Sequence, residues 1–247
     1  MAVECKHGLE EGLCGTCYPK PNTAVDAKPV RRSTPRRAAL VAPPVTLVVN
    51  VGEQRIYHLT HIRNLESIIA EGAIRADATP VVDISSELTR ELRRSAEVSD
   101  GVSVASFVPF FLAPNATLWE ELRRGPANPR WSDAARAAQA PDFVLLASTV
   151  SAIPSGAVIA DGDAAGSLTR FASTPADSER MLRRIRDDEY ALYEAEVLAP
   201  GSFPFAEISL IGVANDRARS RVKELLAGSG FSPKLSVYPP WFQHPGA

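Results

Sequence analysis

The sequence predicts an α+β fold, in which helices pack against a β-sheet. A strand of β-branched and aromatic residues at 55–60 runs directly into a helical pattern that ends at Gly72. The apolar run 143–149 has the length and composition of a buried strand. The charged segment 176–189 repeats apolar residues at the spacing of one helix face.

The composition is that of a globular protein. The chain has 247 residues, of which 45% are hydrophobic and 23% charged, and this length allows one domain with a sizeable core. No apolar run approaches the roughly 18 residues that a membrane span needs. Because Glu4 and Lys6 interrupt the N-terminus, we expect no secretory signal and a cytoplasmic location.

The strongest spacing signal lies in residues 1–20. Cys5, His7, Cys14 and Cys17 follow the pattern C-x-H-x6-C-x2-C and include all three cysteines of the chain. Three thiolates and an imidazole complete the tetrahedral shell of structural Zn²⁺, so we expect a zinc knuckle that folds with its metal. Such a knuckle can contact nucleic acid or a partner protein. A disulfide is the alternative, although three cysteines leave one unpaired.

Residues 21–44 have the composition of an extended linker. Prolines recur without apolar periodicity, and the ten residues 28–37 hold five basic residues and no acid. Without these five positive charges, the net charge of −2 becomes −7 for the rest of the chain. A basic arm can bind phosphates through counterion release, and a solvated linker without a ligand is the alternative. The basic residues of this cluster are Lys28, Arg31, Arg32, Arg36 and Arg37.

Strands and helices alternate through the main domain, residues 45–247. Strand predictions rest on apolar, β-branched or aromatic runs, and helix predictions rest on apolar residues that recur every three or four positions. Gly125 and Pro126 divide the segment 115–140 into two short helices. In chain order we predict strands at 45–51 and 55–60, a helix to about 70, a helix at 84–96, a strand at 106–112, the two helices in 115–140, strands at 143–149 and 157–160, a helix at 176–189, strands at 190–198 and 208–213, a helix at 216–226 and a strand at 234–238.

The junction between strand 55–60 and its helix concentrates polar side chains. It carries His58, Thr60, His61 and Asn64. Polar groups at the open end of a sheet often bind ligands, so the junction is a candidate binding site. Packing or surface roles for the two histidines are the alternative that the residues alone leave open.

The predicted strand 190–198 contains two carboxylates, Glu194 and Glu196. Because side chains alternate along a strand, we expect both on one face. Two carboxylates in one buried place repel each other, which raises the pKa of one of them. Such a pair favours a functional site over a purely structural element.

Several short segments of the sequence resemble motifs of the DarT family, whose members are enzymes that use NAD to ADP-ribosylate bases in single-stranded DNA. Residues 57–72 resemble its opening motif, Tyr-His-x-Thr-His-x-x-Asn-Leu followed by an isoleucine and a glycine. The stretch 106–114 resembles Tyr-Val-Pro-Phe-Tyr-Phe-x-Pro, and 195–204 resembles Ala-Glu-x-Leu-Val followed by Phe-Pro. With 240–242 resembling the terminal Asp-Trp-Tyr, the resemblance spans about residues 55–242.

Two departures from the family pattern fall near its second motif. Phe111 stands where tyrosine is common, and 117–119 replaces the usual Pro-Met-Leu-Tyr. We expect the loss of these hydroxyls to alter substrate contacts. We still expect one aromatic side chain of this strand to face the cleft and to stack on nicotinamide or a base.

The resemblance implies an ADP-ribosyltransferase fold with a split mixed sheet, and it implies roles for named residues. His58 and Thr60 would hold the nicotinamide side of NAD, Leu59 would contribute its backbone, and Ser67 would line the adenosine side. Glu196 would be the catalytic glutamate, which stabilises the cation that forms as nicotinamide leaves.

The family also carries a catalytic arginine between its first motif and the next strand. Arg93 matches it best, and Arg94 is the second match, with a role toward the acceptor. The planar fork of an arginine can hold a phosphate or polarise a base while charged at any pH. Glu194 stands where related toxins place a Gln or Glu that meets the acceptor.

The implied product is an ADP-ribosylated base of single-stranded DNA, made by the toxin of a toxin–antitoxin or phage-defence system. Such an adduct blocks replication, so a cell would need an antitoxin that hydrolyses it. The sequence leaves the modified base open. NAD-dependent transfer to protein or RNA is a second interpretation, and a non-catalytic, zinc-dependent nucleic-acid-binding module is a third. Only the third predicts no release of nicotinamide.

Overall fold

The computed structural model describes residues 50–99, 101–125 and 127–243. The predicted zinc knuckle (1–20), the linker (21–44) and most of the predicted strand 45–51 lie outside these residues. In the described part of the chain, no helix is both long and apolar enough to cross a membrane.

Within the described residues there are twelve strands and seven α-helices. The strands are β1 (Arg55–His61), β2 (Ala73–Arg75), β3 (Glu97–Ser99), β4 (Val102–Ser103), β5 (Phe107–Phe111), β6 (Phe143–Thr149), β7 (Val158–Ala160), β8 (Phe171–Ala172), β9 (Glu196–Pro200), β10 (Ser202–Pro204), β11 (Leu210–Val213) and β12 (Lys234–Val237). The helices are α1 (Leu65–Glu71), α2 (Glu87–Ser95), α3 (Thr117–Arg123), α4 (Asp133–Ala137), α5 (Pro175–Arg186), α6 (Glu189–Glu194) and α7 (Asp216–Leu226).

Eight of the strands build one mixed sheet in the order β12-β11-β6-β1-β5-β9-β7-β8. β11 and β12 pair in parallel, and the other neighbours pair antiparallel. The apolar strand β6 is buried along nearly its whole length near the middle of the sheet, as its composition predicts. The predicted α+β class with a mixed sheet is confirmed.

The sheet has a weak connection between β1 and β5. β1 pairs with β6 over all seven of its residues, but it meets β5 at one register position, where Tyr57 lies opposite Phe111. β5 continues its pairing on the other side, with β9. Beyond Tyr57 the facing edges of β1 and β5 are therefore unpaired with each other, and their backbone groups can bind a ligand.

Helices cover both faces of the sheet, as side-chain alternation along the strands requires. On one face Phe110 and Leu146 belong to the largest apolar cluster, together with residues of α1, α5 and α7. On the other face Tyr57 and Leu145 pack with α3, α4 and Trp241. Packing on both sides fixes the central strands, and with them the side chains at the strand ends.

The predicted strand–helix junction is confirmed, with one tight turn between the two elements. Residues Ile62–Asn64 form a single 3-10 turn, and the His61 imidazole caps it by accepting a hydrogen bond from the Arg63 N–H. Gly72 ends α1 with φ 68°, a left-handed conformation that glycine adopts without strain.

The second predicted helix begins at Glu87 rather than at 84. Ser86 caps α2, because its hydroxyl accepts a hydrogen bond from the Thr89 N–H. Leu88 and Leu92 share a face as predicted, but both remain exposed, at 52% and 46%. α2 is therefore held in place by polar contacts and not by burial of its leucines.

The predicted strand 190–198 is wrong in its first half. Glu189–Glu194 form α6, and β9 begins only at Glu196. Asp188 caps the helix by accepting hydrogen bonds from two backbone N–H groups of its first turn, and this start signal outweighs the strand-like composition. Glu194 is the exposed last residue of a helix, so it does not share a strand face with the buried Glu196.

Candidate active site

A cavity of about 470 Å³ opens where β1 and β5 stop pairing. Consecutive residues of β1 (58–60) and of β5 (107–109) line it, so the edges of the two strands form its floor. α1, α2 and the segment 76–85, which we term the cavity loop, complete its walls. The volume lies within the range of pockets that bind small molecules and cofactors.

His58 lies on β1 beside the point where the two strands stop pairing. Its Nδ1 donates a hydrogen bond to the Pro109 carbonyl oxygen at 2.9 Å, since a carbonyl oxygen can only accept. Burial lowers the pKa of His58, and the bond to Pro109 opposes this more weakly. The ring is neutral near pH 7, with its proton on Nδ1. Nε2 can therefore accept a hydrogen bond from a hydroxyl in the cavity.

Asn64 connects the strand–helix junction to the cavity loop. Its amide nitrogen donates to the Thr60 hydroxyl at 3.1 Å and to the Val82 carbonyl at 2.9 Å. Its amide oxygen accepts from the Val82 N–H at 2.8 Å. Because Asn64 is buried, water does not compete for these bonds. Ser67, which also lines the cavity, donates its hydroxyl to the Asn64 carbonyl.

The cavity loop is held from its other side by α2. Arg90 pairs with the Asp83 carboxylate and donates to the Ser85 carbonyl oxygen. The Ile84 carbonyl accepts a hydrogen bond from the Ser132 N–H at 3.1 Å. The loop is thus fixed by polar contacts along its second half.

Glu196 is the first residue of β9, opposite Phe111 of β5, and its side chain is buried. One carboxylate oxygen accepts from the Ala164 N–H at 3.2 Å, and the other pairs with the Arg93 guanidinium at 3.3 Å. Burial raises the pKa of Glu196, the charge of Arg93 opposes this, and the charge of Asp163 adds to it. Such a carboxylate gains stability when a positive charge forms beside it.

Arg93 lies in the last turn of α2 and lines the cavity. Its Nη1 pairs with Glu196, whereas its Nη2 is buried and has no hydrogen-bond partner among the described residues. Buried donors are normally paired. This nitrogen therefore marks a place where an oxygen of a phosphate or of a base fits.

Strand β5 contacts both His58 and Glu196, which come from distant parts of the chain. His58 bonds to Pro109, and Glu196 stands opposite Phe111 two residues further along the same strand. His58 lines the cavity, whereas Glu196 does not belong to the lining residues and pairs with Arg93, which does.

Six of the residues expected to bind NAD or its acceptor line the cavity. They are His58, Leu59, Thr60, Ser67, Arg93 and Arg94. Arg94 is half exposed and pairs with Glu87 and Glu91. Glu194 does not belong to the lining residues. Phe107 and Phe111 are the aromatic residues that face the cavity, in line with the expectation that an aromatic would.

The four predicted zinc ligands, Cys5, His7, Cys14 and Cys17, lie outside the described residues. In 50–99, 101–125 and 127–243, no group of three or more His, Cys, Asp or Glu side chains could hold a metal ion.

The contacts behind Glu196 were not expected from the sequence. Asp163 pairs with Arg130 at 3.2 Å between carboxylate and guanidinium, and the next residue, Ala164, donates its N–H to Glu196. The composition of 161–163, Asp-Gly-Asp, is typical of a turn. Asp163 and Arg130 are 33 residues apart in the chain, and no local sequence pattern predicts that they pair.

Comparison with known proteins identifies a family. A family model described as "ssDNA thymidine ADP-ribosyltransferase, DarT" matches residues 57–243. Two relatives described as DNA ADP-ribosyl transferase, from Mycobacterium bovis (strain BCG / Pasteur 1173P2) and Mycobacterium tuberculosis (strain ATCC 25618 / H37Rv), are 27% identical over 206 residues. The matched region covers 74% of this chain and 86% of theirs.

Solved structures share the fold. DarT from Thermus sp. 2.9 in complex with ADP-ribosylated ssDNA matches with a TM-score of 0.66, and its complex with NAD+ matches with 0.63. Both are 20% identical to this chain and cover 77% of it, and the match covers 96% and 98% of the respective structures. Thermosipho africanus DarTG in complex with ADP-ribose matches with a TM-score of 0.58 at 18% identity, over 76% of this chain and 51% of that one.

Proposed function

The chain belongs to the DarT family of single-stranded-DNA thymidine ADP-ribosyltransferases, and from this membership we propose that it transfers ADP-ribose from NAD to a thymine base of single-stranded DNA. The observation that carries the proposal is that His58 and Arg93 line one cavity and that Arg93 pairs there with the buried Glu196. The three side chains supply a hydrogen-bond acceptor, a cation and a buried carboxylate.

Three features of the cavity support NAD binding. Nε2 of His58 is an acceptor for a ribose hydroxyl. The unpaired edge of β1 at Leu59 and Thr60 presents backbone groups to the nicotinamide amide. Nη2 of Arg93 is a buried donor for a phosphate or base oxygen. Ser67 on α1 lines the part of the cavity that we assign to the adenosine side.

In the proposed reaction the bond between ribose C1′ and the nicotinamide nitrogen breaks, and its electron pair leaves with nicotinamide. Positive charge develops on the ribose, and the fixed Glu196 carboxylate stabilises it. A nitrogen of the acceptor base then forms the new bond to C1′ and passes its proton to Glu196.

Without substrate, Glu196 is paired with Arg93. In the proposed transfer, Arg93 turns its guanidinium toward substrate oxygens, which releases one oxygen of the carboxylate. The Ala164 N–H continues to hold the other oxygen, so Glu196 keeps its position during this exchange.

Thymine in DNA carries a single ring N–H, at N3, because N1 is bound to the sugar. N3 lies on the edge that pairs in duplex DNA, so the base must be unpaired to react, which accounts for a single-stranded substrate. We assign Arg93 to the thymine carbonyls and Arg94 and Glu194 to the flanking part of the acceptor.

Incubation of the full chain with labelled NAD and separate pools of single-stranded DNA, duplex DNA, RNA and protein tests this proposal. We expect label in single-stranded DNA alone, with the added mass on thymidine of a defined oligonucleotide. Label confined to RNA or protein would contradict the DNA acceptor. Absence of nicotinamide release, with and without DNA, would favour a binding module without catalysis.

The adduct explains a toxin role. ADP-ribose on N3 removes the pairing edge of thymine and blocks replication, so we propose that the enzyme acts in the cytoplasm as a toxin countered by an antitoxin that removes ADP-ribose. Expression should arrest growth, and co-expression of a hydrolase that cleaves ADP-ribose from DNA should restore it. Growth arrest that persists with a Glu196→Gln chain would contradict this role.

We also propose that Cys5, His7, Cys14 and Cys17 bind one structural Zn²⁺. The donor set of three thiolates and one imidazole fits tetrahedral zinc and leaves no open position for catalysis. Metal analysis of the purified full chain should find one zinc per chain, and a Cys14→Ser/Cys17→Ser variant should lose it. A chain without zinc after purification in zinc-containing buffer would contradict the assignment.

A further inference from the structure

The turn at 161–169, between β7 and β8, fixes one oxygen of the Glu196 carboxylate. The Ala164 N–H donates to Oε1 of Glu196 at 3.2 Å. Both the side chain and the carbonyl oxygen of Asp163 accept hydrogen bonds from later residues of the turn. The position of the Ala164 N–H therefore depends on Asp163.

Asp163 is itself held by Arg130. Nη1 of Arg130 lies 3.2 Å from the carboxylate, and the two side chains are 32% and 25% exposed. The Arg130 carbonyl oxygen accepts hydrogen bonds from the Ser86 N–H and the Thr89 hydroxyl, both at 2.8 Å. These donors belong to the start of α2, whose last turn carries Arg93.

The contacts close a ring around the active site. Glu196 is joined to Arg93 directly by their ion pair, and indirectly through Ala164, Asp163, Arg130 and α2. We propose that the Arg130–Asp163 ion pair positions Glu196 relative to Arg93 and keeps the carboxylate in place when Arg93 turns to the substrate. The inference rests on the proposed ADP-ribosyl transfer, and it adds two positioning residues to it.

The same pair sets the charge around Glu196. In the described part of the chain, the charged groups that face Glu196 are Arg93 from α2 and Asp163 from the turn, and its register neighbours on β5 and β7 are uncharged. Asp163 raises the pKa of Glu196, and Arg130 offsets this by pairing with Asp163. Loss of Asp163 should therefore lower the pKa of Glu196, whereas loss of Arg130 should raise it.

The test is nicotinamide release by the full chain with single-stranded DNA, measured against pH. In Asp163→Asn and in Arg130→Gln we expect kcat to fall about 10- to 100-fold, because small displacements of catalytic groups are costly. The acid limb of kcat/KM should move to lower pH in Asp163→Asn and to higher pH in Arg130→Gln. It should return toward the wild-type position in the double variant, where both charges are absent.

Two further variants separate charge from geometry. Asp163→Glu keeps the charge and lengthens the side chain, so kcat should fall without a shift of the limb. Asp133→Asn and Arg136→Gln alter a loosely paired, more exposed acid and base on α4 and should change neither quantity. Equal limbs in every variant, or unchanged kcat in both single variants, would overturn the positioning role. An inactive wild type would instead overturn the proposed function.

Discussion

Glu196 combines complete burial with two hydrogen-bonded oxygens. A carboxylate is costly to bury in a core, and its raised pKa expresses that cost. The Arg93 charge and the Ala164 N–H offset part of it. This arrangement suits a group that is stabilised further when a cation forms next to it.

Glu196→Gln should lower kcat for nicotinamide release about 10³-fold or more, because glutamine keeps the shape but carries no charge for the ribosyl cation. Chromatographic detection of nicotinamide measures the loss. Glu194→Gln is the matched control, since Glu194 is exposed at the end of α6. It should retain kcat and raise only the KM for DNA. Comparable loss of kcat in both variants would contradict the assignment of Glu196.

His58 gives a pH dependence to stability. Its pKa is lowered below 6.5 in the folded chain, so between the two values the unfolded chain binds more protons. The free energy of unfolding therefore falls as pH drops below about 6.5. His58→Gln should flatten this fall between about pH 7.5 and 5.5, measured by denaturant titration.

His61 also has a lowered pKa and contributes in the same sense. Glu196 acts in the opposite sense, because its raised pKa makes the folded chain bind the proton more tightly. His61 and Glu196 are present in both the wild type and His58→Gln, so their contributions cancel when the two chains are compared at one pH. Identical pH slopes in the two chains would show that His58 protonates freely in the fold.

The position of a side chain could be predicted where a motif folds locally. His58, Thr60 and Ser67 belong to one continuous motif that folds as a strand, a turn and a helix. These local elements orient the three side chains, and all three line the cavity. The expectation that Glu194 shares a strand face with Glu196 was wrong, because Asp188, six residues earlier, caps a helix that includes Glu194. The pair of Asp163 with Arg130 depends on tertiary contacts that no spacing reveals.

At the scale of elements, α2 forms one wall of the cavity and is held in place by polar contacts. None of its residues is buried. Its start bonds to Arg130, Arg93 in its last turn pairs with Glu196, and the Ser103 hydroxyl donates to the carbonyls of its end. Because little apolar surface anchors it, α2 should move at lower cost than the buried strands.

Asn64→Ala should loosen the cavity loop. It leaves the Val82 N–H and carbonyl without their partner, at a cost of about 1–3 kcal/mol in the free energy of unfolding. We expect faster hydrogen exchange in 76–85 and roughly tenfold weaker NAD binding, since the loop forms one wall of the site. Hydrogen-exchange mass spectrometry and calorimetric titration measure the two effects.

Asn215→Ala provides a matched control for this prediction. Asn215 caps α7 by accepting a hydrogen bond from the Ala218 N–H at 2.9 Å, away from the residues that line the cavity. Its loss should cost about 1 kcal/mol of stability and leave the affinity for NAD unchanged. Equal loss of affinity in both variants would assign the effect to general destabilisation.

The long elements could be predicted from periodicity, and the shortest could not. β6 and α7 have the predicted bounds, because each carries a regular apolar pattern over several residues. β2 and β10 have three residues each and pair only because α1 ends at Gly72 and β9 turns at Gly201. Their hydrogen bonds follow from the fold around them.

At the scale of the molecule, residues 1–56 lie outside the family match. Leu47–Ala247 form a compact unit, so a chain of these residues should retain nicotinamide release. It should bind single-stranded DNA more weakly, because the basic cluster is absent. If all five charges contact phosphates in the full chain, the negative slope of log affinity against log salt should be less steep by about 3.5 in the shortened chain. Fluorescence anisotropy over a range of NaCl concentrations measures it.

A full-length variant separates the linker from the zinc segment. Its five basic residues are changed to glutamine at Lys28, Arg31, Arg32, Arg36 and Arg37. If the linker charges are responsible, this variant should reproduce the reduced slope of the shortened chain. A wild-type slope in both chains would contradict a role of the linker in DNA binding.

The order of strands could not be derived from the sequence. Apolar runs show which segments are buried, but they do not specify neighbours. β1 lies between β6 and β5, which come from later parts of the chain. The resemblance to a family implied a split sheet. The single register position between β1 and β5 shows that the split lies between these two strands.

That unpaired region bears on solubility. A free strand edge normally recruits strands from neighbouring molecules and so promotes aggregation. Here the edges of β1 and β5 form the floor of a cavity, below the cavity loop and α2. The covering elements shield them from other chains while a small molecule can still enter. The same enclosure thus admits a small molecule and prevents intermolecular β-pairing.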